Sequence, residues 1–203
     1  MKPMVIIFAR APRLGQVKTR LGRAIGARAA LDFHRSTLLA LCRAIKRDRR
    51  FELSLAVTPD HAFIAGLGGV SRFGQKHGDL GARMQRAFDR FAHRPVILVG
   101  CDIPDLGVAH IKAAAAALGR TRAVFGPARD GGYYLVGFAP LRPACAFKSV
   151  RWSTSHALAD TQANIRRKTA RLEPLDDIDD QAAFNAWKSR LNPPPRAAAC
   201  RSG

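Results

Sequence analysis

Residues 95–100 read Pro-Val-Ile-Leu-Val-Gly, a short apolar run with no charged position in it. A strand with one wet face alternates apolar and polar residues, so an unbroken run of this length predicts a strand buried on both faces. Helices must then cover both sides, as they do on a parallel α/β sheet. A second run, Met4–Ala9, predicts another such strand. Weaker strands are expected at Phe51–Thr58, Val70–Phe73, Ala123–Gly126, Tyr133–Phe138 and Arg171–Leu175. Between them, apolar spacing near 3.6 residues predicts helices over Gly22–Lys46, Leu80–Ala92, Ala109–Leu118, from Ser153 or Thr154 to Lys168, and over Gln181–Leu191. Asp60 is expected to cap a short helix over His61–Leu67, and Gly119 to end its helix in the left-handed conformation. The turn between Gly126 and Tyr133 is too short for a crossover, so residues 133–138 should run antiparallel to their neighbour. The expectation is one three-layer α/β/α domain over residues 1–191 with a mostly parallel sheet, followed by a disordered polar tail, 192–203.

Such sheets bind ligands beyond the carboxyl ends of their strands, and polar clusters fall at those places. The first follows Met4–Ala9: a loop carrying Arg10, Gly15, Lys18 and Arg20 before a helix. It reads either as a phosphate cradle of backbone N–H groups and fixed cations, or as a solvated basic turn. It matches neither the Walker spacing nor G-x-G-x-x-G. The second is Asp102, placed just after the apolar run at 95–100. It either caps a loop or holds a divalent cation against phosphate oxygens, since Mg²⁺ sites often use one or two carboxylates plus the substrate. Asp105 is expected in a turn or capping the next helix. The third is Asp176-Asp177-Ile178-Asp179-Asp180, the one acidic concentration in the chain. Asp180 suits the N-cap of the last helix. The remaining carboxylates repel one another unless a cation or an arginine joins them, which makes Asp177 or Asp179 a candidate second metal ligand. Arg83, after Gly78-Asp79-Leu80-Gly81, reads as a phosphate or base contact or as part of a solvated helix face. Asp130-Gly131-Gly132 reads as a hairpin turn.

The formal charge of +19 favours an anionic partner without choosing nucleic acid. Arginine-rich composition is an alternative source of the excess. Basic runs interleaved with aromatics and recognition-helix spacings are absent from the sequence. Cys42, Cys101, Cys145 and Cys200 make no C-x-x-C pair, and the histidines form no local motif. No apolar stretch approaches a membrane span, so a soluble cytoplasmic protein is expected.

The ordered set Phe8–Leu21 (FARAPRLGQVKTRL), Gly78–Met84 (GDLGARM), Gly100–Leu106 (GCDIPDL), Gly126–Gly137 (GPARDGGYYLVG), Trp152-Ser-Thr154 and Asp177–Asp180 resembles a known family. It is the bacterial glycosyltransferase-like family of radical-SAM/selenodomain-associated transferases, within the GT-A (nucleotide-diphospho-sugar transferase) superfamily. The resemblance spans Met4 to Trp187. It departs at Arg10 for a usual lysine, Leu14 for a second proline, Cys101 for Ser or Thr, and Asp180 for a capping Thr. None of these removes a charge such chemistry needs.

The resemblance implies a Rossmann-like GT-A fold and a nucleotide held at the strand ends by a bridging Mg²⁺ or Mn²⁺. Asp102 would be its metal ligand and a catalytic residue, with Asp177 and Asp179 at the second ligand position. Lys18 would be catalytic too, and it would join Arg10, Gly15, Arg20, Arg83, Asp130 and Gly131 in binding nucleotide or phosphate. The leading expectation is a nucleotide-sugar glycosyltransferase using an NDP-sugar and a small-molecule acceptor, with no specific nucleic acid. The first alternative is a nucleotidylyltransferase that joins an NTP to a phosphorylated acceptor and releases pyrophosphate. The second is a protein that binds nucleotide or nucleic acid without catalysis.

Overall fold

In the computed structural model, which describes residues 1–191, the chain runs β1 (Met4–Arg10), α1 (Thr19–Ile25), α2 (Ala27–Arg47), β2 (Glu52–Thr58), β3 (Ser71–Gly74) and α3 (Leu80–Asp89). It continues through β4 (Val96–Gly100), α4 (Val108–Leu118), β5 (Ala123–Pro127), β6 (Tyr133–Phe138), α5 (Ala157–Ala163), β7 (Thr169–Arg171) and α6 (Gln181–Leu191). The strands form one seven-stranded sheet in the order β3-β2-β1-β4-β6-β5-β7. The expected tail, 192–203, lies outside the described residues.

The apolar run at 96–100 is the central strand, as its composition demands. Ile97 and Val99 point into a core with Val5, Ile7, Leu38 of α2 and Ile111 of α4. Val96 and Leu98 point into the opposite core with Ile6, Phe88 of α3 and Leu158 of α5. Two helical layers therefore sandwich the sheet. β6 is the one reversed strand, antiparallel to both β4 and β5, while β1 pairs in parallel with β2 and β4. Pointing β1 and β4 the same way puts Arg10 and Cys101-Asp102 at the same edge of the sheet.

Five local expectations are corrected. The helix expected over 22–46 is two helices, because Gly26 sits at φ 90°, outside helical geometry, between α1 and α2. No helix forms over 61–67, since the Asp60 carboxylate accepts from the Lys76 backbone N–H (3.0 Å) and pairs with Lys76 Nζ (3.3 Å). Gly119 stays right-handed at φ −69°, because Arg120 and Thr121 both donate backbone N–H to the Ala117 carbonyl and continue the turn. The helix expected from 153–154 begins at 157: Thr154 Oγ1 donates to the Arg151 carbonyl and accepts from His156 N, which closes a turn. The late strand also shifts to 169–171.

Gly126 tests this packing. A Cβ there would collide with the ring of Tyr134, a buried side chain whose hydroxyl donates to the Glu173 carbonyl (3.0 Å). Gly126→Ala is expected to lower unfolding free energy by about 1–3 kcal/mol, the usual cost of overpacking. Chemical denaturation of the variant checks this, and an unchanged midpoint would show that the ring yields freely.

Candidate active site

The sequence of β1 ends at Arg10, and residues 11–18 carry the chain over the carboxyl edge of the sheet to α1. Lys18 stands immediately before α1 in the left-handed region (φ 46°) with its side chain only 3% exposed. Its ammonium donates to Asp177 Oδ1 (2.8 Å) and Asp179 Oδ1 (2.9 Å) and lies 3.4 Å from Asp102 Oδ1. The position of the two late carboxylates follows from the residue between them. Ile178 is buried with Leu21, Ala30 and Phe33, and Phe184 and Trp187 of α6 pack on that cluster. This anchor holds its neighbours where both reach one cation.

The acidic loop is thereby accounted for residue by residue. Asp176 pairs with Arg129 (2.7 Å). Asp177 and Asp179 meet Lys18, and Asp180 Oδ1 caps α6 by accepting from Ala183 N (2.8 Å). Asp105, expected in a turn or at a cap, pairs with Arg190 (2.8 Å), while Gly107 precedes α4.

One further residue belongs to this cluster, and sequence reasoning missed it. His34 of α2 is buried; its Nδ1 faces Asp102 Oδ1 at 3.3 Å and its Nε2 donates to the Arg10 carbonyl at 3.1 Å. It therefore ties the end of β1 to the residue after β4. The available signal was its place on the apolar stripe of α2, beside Phe33 and four residues before Leu38, where a polar side chain needs a partner.

Burial alone would lower the pKa of Lys18, but the facing carboxylates reverse this and hold it well above its ordinary value. Burial likewise favours protonated Asp102, yet the His34 hydrogen bond and the Lys18 ammonium keep its carboxyl below the usual range. At Asp177 burial wins: against the pull of Lys18, and with Asp179 and Asp102 nearby, its pKa is pushed up to about 6. One ammonium among three carboxylates leaves the group short of positive charge.

The carboxylate oxygens are the donor type a hard divalent cation takes, but with Lys18 among them the three groups do not close to within 4.8 Å of one another. Each of Asp102, Asp177 and Asp179 uses one oxygen toward Lys18, and the second oxygen of each takes no hydrogen bond among the described residues. Oxygen ligands of this kind suit Mg²⁺ and Mn²⁺. His34, Cys101 and Asp102 do approach within 4.8 Å of one another. However, burial raises the Cys101 thiol well above its ordinary pKa, and His34 Nε2 is committed to a backbone carbonyl.

Two clefts open on this cluster. One, about 330 Å³, is lined by Arg10, Gln16, Lys18, Arg20, His34 and Asp179. The other, about 610 Å³, is lined by Asp102, Asp177, Asp179 and Arg20 together with apolar side chains that include Leu80 and Trp152. Asp130 lines the second cleft and accepts from Gly132 N (2.9 Å), and the Gly131 carbonyl accepts from Leu158 N, docking this turn on α5. Gly15 is in the loop before Lys18 but lines neither cleft. Arg83 is set apart as well: its Nη1 donates to Gln75 Oε1 (3.1 Å) in a separate groove between β3 and α3.

Residues 41–154 match the family described as uncharacterized protein conserved in bacteria (DUF2064). No curated protein matches the sequence. Among solved structures, a candidate nucleotide-diphospho-sugar transferase from Desulfovibrio desulfuricans is 27% identical, with a TM-score of 0.87 over 98% of this chain and 92% of that one. A cytidylyltransferase from Leptospira borgpetersenii shares the fold at 15% identity and a TM-score of 0.60, covering 93% and 86% of the two chains. A Mycobacterium tuberculosis protein solved with manganese shares it at 16% identity and a TM-score of 0.55, covering 92% and 97%. The fold is thus the Rossmann-like one of nucleotide transferases.

Proposed function

The chain belongs to the DUF2064 family, and from the site it carries we propose that it is a metal-dependent transferase acting on an activated nucleotide donor, specifically a nucleotide-sugar glycosyltransferase. The observation that carries this reading is the convergence of Asp102, Asp177 and Asp179 around Lys18 at the carboxyl edge of the sheet, beneath a cleft with a basic loop on one side and apolar walls on the other. The likeness to the Desulfovibrio desulfuricans protein supports the same chemistry.

In this reading Asp102, Asp177 and Asp179 would hold Mg²⁺ or Mn²⁺. When bound, the cation neutralises charge developing on the diphosphate leaving group. Arg20 lines both clefts and, with Lys18, meets the phosphate oxygens. His34 keeps the Asp102 carboxylate turned toward Lys18 and ionised. Leu80, Met84 and Trp152 give the flat or apolar part of the donor a dry surface. Asp130 and Tyr133 stand on the wall that would face the small-molecule acceptor. No helix among the described residues is long and apolar enough to cross a membrane.

A second reading, nucleotidyl transfer from an NTP with release of pyrophosphate, draws on one observation. The smaller cleft, with Arg10, Lys18 and Arg20 in its wall, extends the cationic surface beyond the carboxylates, toward where a third phosphate would lie.

A thermal-shift screen of NDP-sugars and NTPs, each with Mg²⁺, Mn²⁺ or EDTA, tests the proposal. An NDP-sugar at a hundred times its Kd should raise Tm by about 5–10 °C, and only with metal. A larger shift with an NTP favours the second reading. No shift with any nucleotide and metal would remove both.

A further inference from the structure

Positive charge gathers at two further cavities that the reading above does not use: one lined by Arg120, Arg122, Arg167 and Lys168, and the groove that holds Arg83, where hydrogen bonds and ring contacts fix the guanidinium groups. This groove measures about 530 Å³ and runs between β3 and α3, sharing no lining residue with the two clefts at Asp102. Its walls carry His61, Arg72, Lys76, Arg83, Arg86 and Arg90 against a single carboxylate, Asp89. Lys76 is paired with Asp60. Among the described residues, none of the four arginines has a carboxylate within salt-bridge distance.

These arginines are nevertheless held in place. Arg83 donates to Gln75 Oε1, and Arg86 donates to the carbonyls of Gln75 (3.4 Å) and His77. Arg90 lies over the Phe73 ring (5.0 Å) and Arg72 over the Phe63 ring (5.3 Å). Gln75 is itself buried and fixed, its amide donating to the carbonyls of Ala56 (2.9 Å) and Ala9 (3.2 Å). Carbonyl and ring contacts orient a guanidinium without neutralising it. Four oriented, uncompensated guanidinium groups around one cavity repel one another, and a multiply charged anion between them would turn that repulsion into charge-assisted hydrogen bonds. The size suits a small molecule.

We propose that the β3–α3 groove is a second binding site, for a small molecule carrying two or more phosphate groups, held by Arg72, Arg83, Arg86 and Arg90. The shared chemistry is that of an inorganic polyphosphate and of an organic bisphosphate, which the test separates.

Isothermal titration in EDTA, at fixed ionic strength, would use tripolyphosphate and fructose 1,6-bisphosphate as probes. The proteins are wild type, Arg72→Gln/Arg90→Gln, the control Arg35→Gln/Arg43→Gln and Asp102→Ala, each checked for folding by its thermal transition. Arg35 and Arg43 are exposed on α2, so the control loses the same charge outside the groove. The expected result is binding of at least one probe, weakened about tenfold or more in the groove variant and unchanged in the control. The tighter probe identifies the source. Binding should survive Asp102→Ala, so failure of the groove and failure of the proposed active site are told apart. Equal weakening in the two arginine pairs would reduce the effect to bulk charge and overturn the proposal, as would no binding of either probe. Preferential binding of a single-stranded 20-nucleotide DNA would overturn it in favour of a nucleic-acid surface.

Discussion

Asp102→Ala is expected to abolish metal-dependent nucleotide binding while leaving the protein folded. Asp102 follows the central strand, and its carboxylate meets both Lys18 and His34. Removing even an outer-shell partner of a metal ligand costs about 10–100-fold in metal affinity; removing one of three proposed ligands should cost more. The stability change should be smaller than for most deletions. Three carboxylates share one ammonium, so losing one relieves repulsion at Asp177 and Asp179 even as it removes an ion pair. The side chain is 46% exposed, so no sealed cavity is left behind. The thermal transition should therefore stay within a few degrees of wild type while calorimetric titration with Mn²⁺ and nucleotide becomes flat. Undiminished nucleotide affinity would remove Asp102 from the proposed role.

The sheet was legible because its central strands are simple. Val96–Gly100 and Met4–Ala9 have no polar residue to place, so they must be covered on both faces, and the short link to Tyr133–Phe138 forces a reversal. The sheet edge that gathers Lys18, Asp102, Asp177 and Asp179 was legible for the same reason: parallel strands bring their ends together. What the charges do there was not. Lys18 and Asp177 are separated by 159 positions, and no local pattern states that a basic loop will reach an acidic one. The four aspartates at 176–180 needed a cation or an arginine, and the fold supplies one of each, Lys18 and Arg129. His34 was passed over because it belongs to no local motif; its partners, Asp102 and the Arg10 carbonyl, come from two different strand ends. Arg83 lies away from the Asp102 edge. Its motif sits beside Asp79, which caps α3 by accepting from Ala82 N (2.7 Å), and the helix turns Arg83 toward Gln75 instead of toward Asp102. Helix ends were the least legible, since a single competing bond such as Lys76 N to Asp60 decides them.

Lys18→Met separates the two jobs this residue holds. The substitution keeps most of the apolar stem but removes the buried charge, leaving Asp102, Asp177 and Asp179 facing one another. Breaking a fully buried ion pair by deleting one partner costs roughly 3–5 kcal/mol. Here the carboxylates are 35–54% exposed, and water screens part of that. A loss of about 2 kcal/mol is expected, which lowers Tm by about 4–8 °C in a chain of this size. Mg²⁺ or Mn²⁺ should then raise Tm more in the variant than in wild type, because the added cation supplies charge the ammonium no longer provides. The ligand-binding consequence is distinct: a nucleoside triphosphate should lose more affinity than a monophosphate, since in the proposed function the lost ammonium would face the phosphate chain and not the base. Equal losses for the two nucleotides would make Lys18 a structural counter-charge only. A larger metal response in wild type than in the variant would mean that the ammonium helps assemble the cation site instead of standing in for its charge.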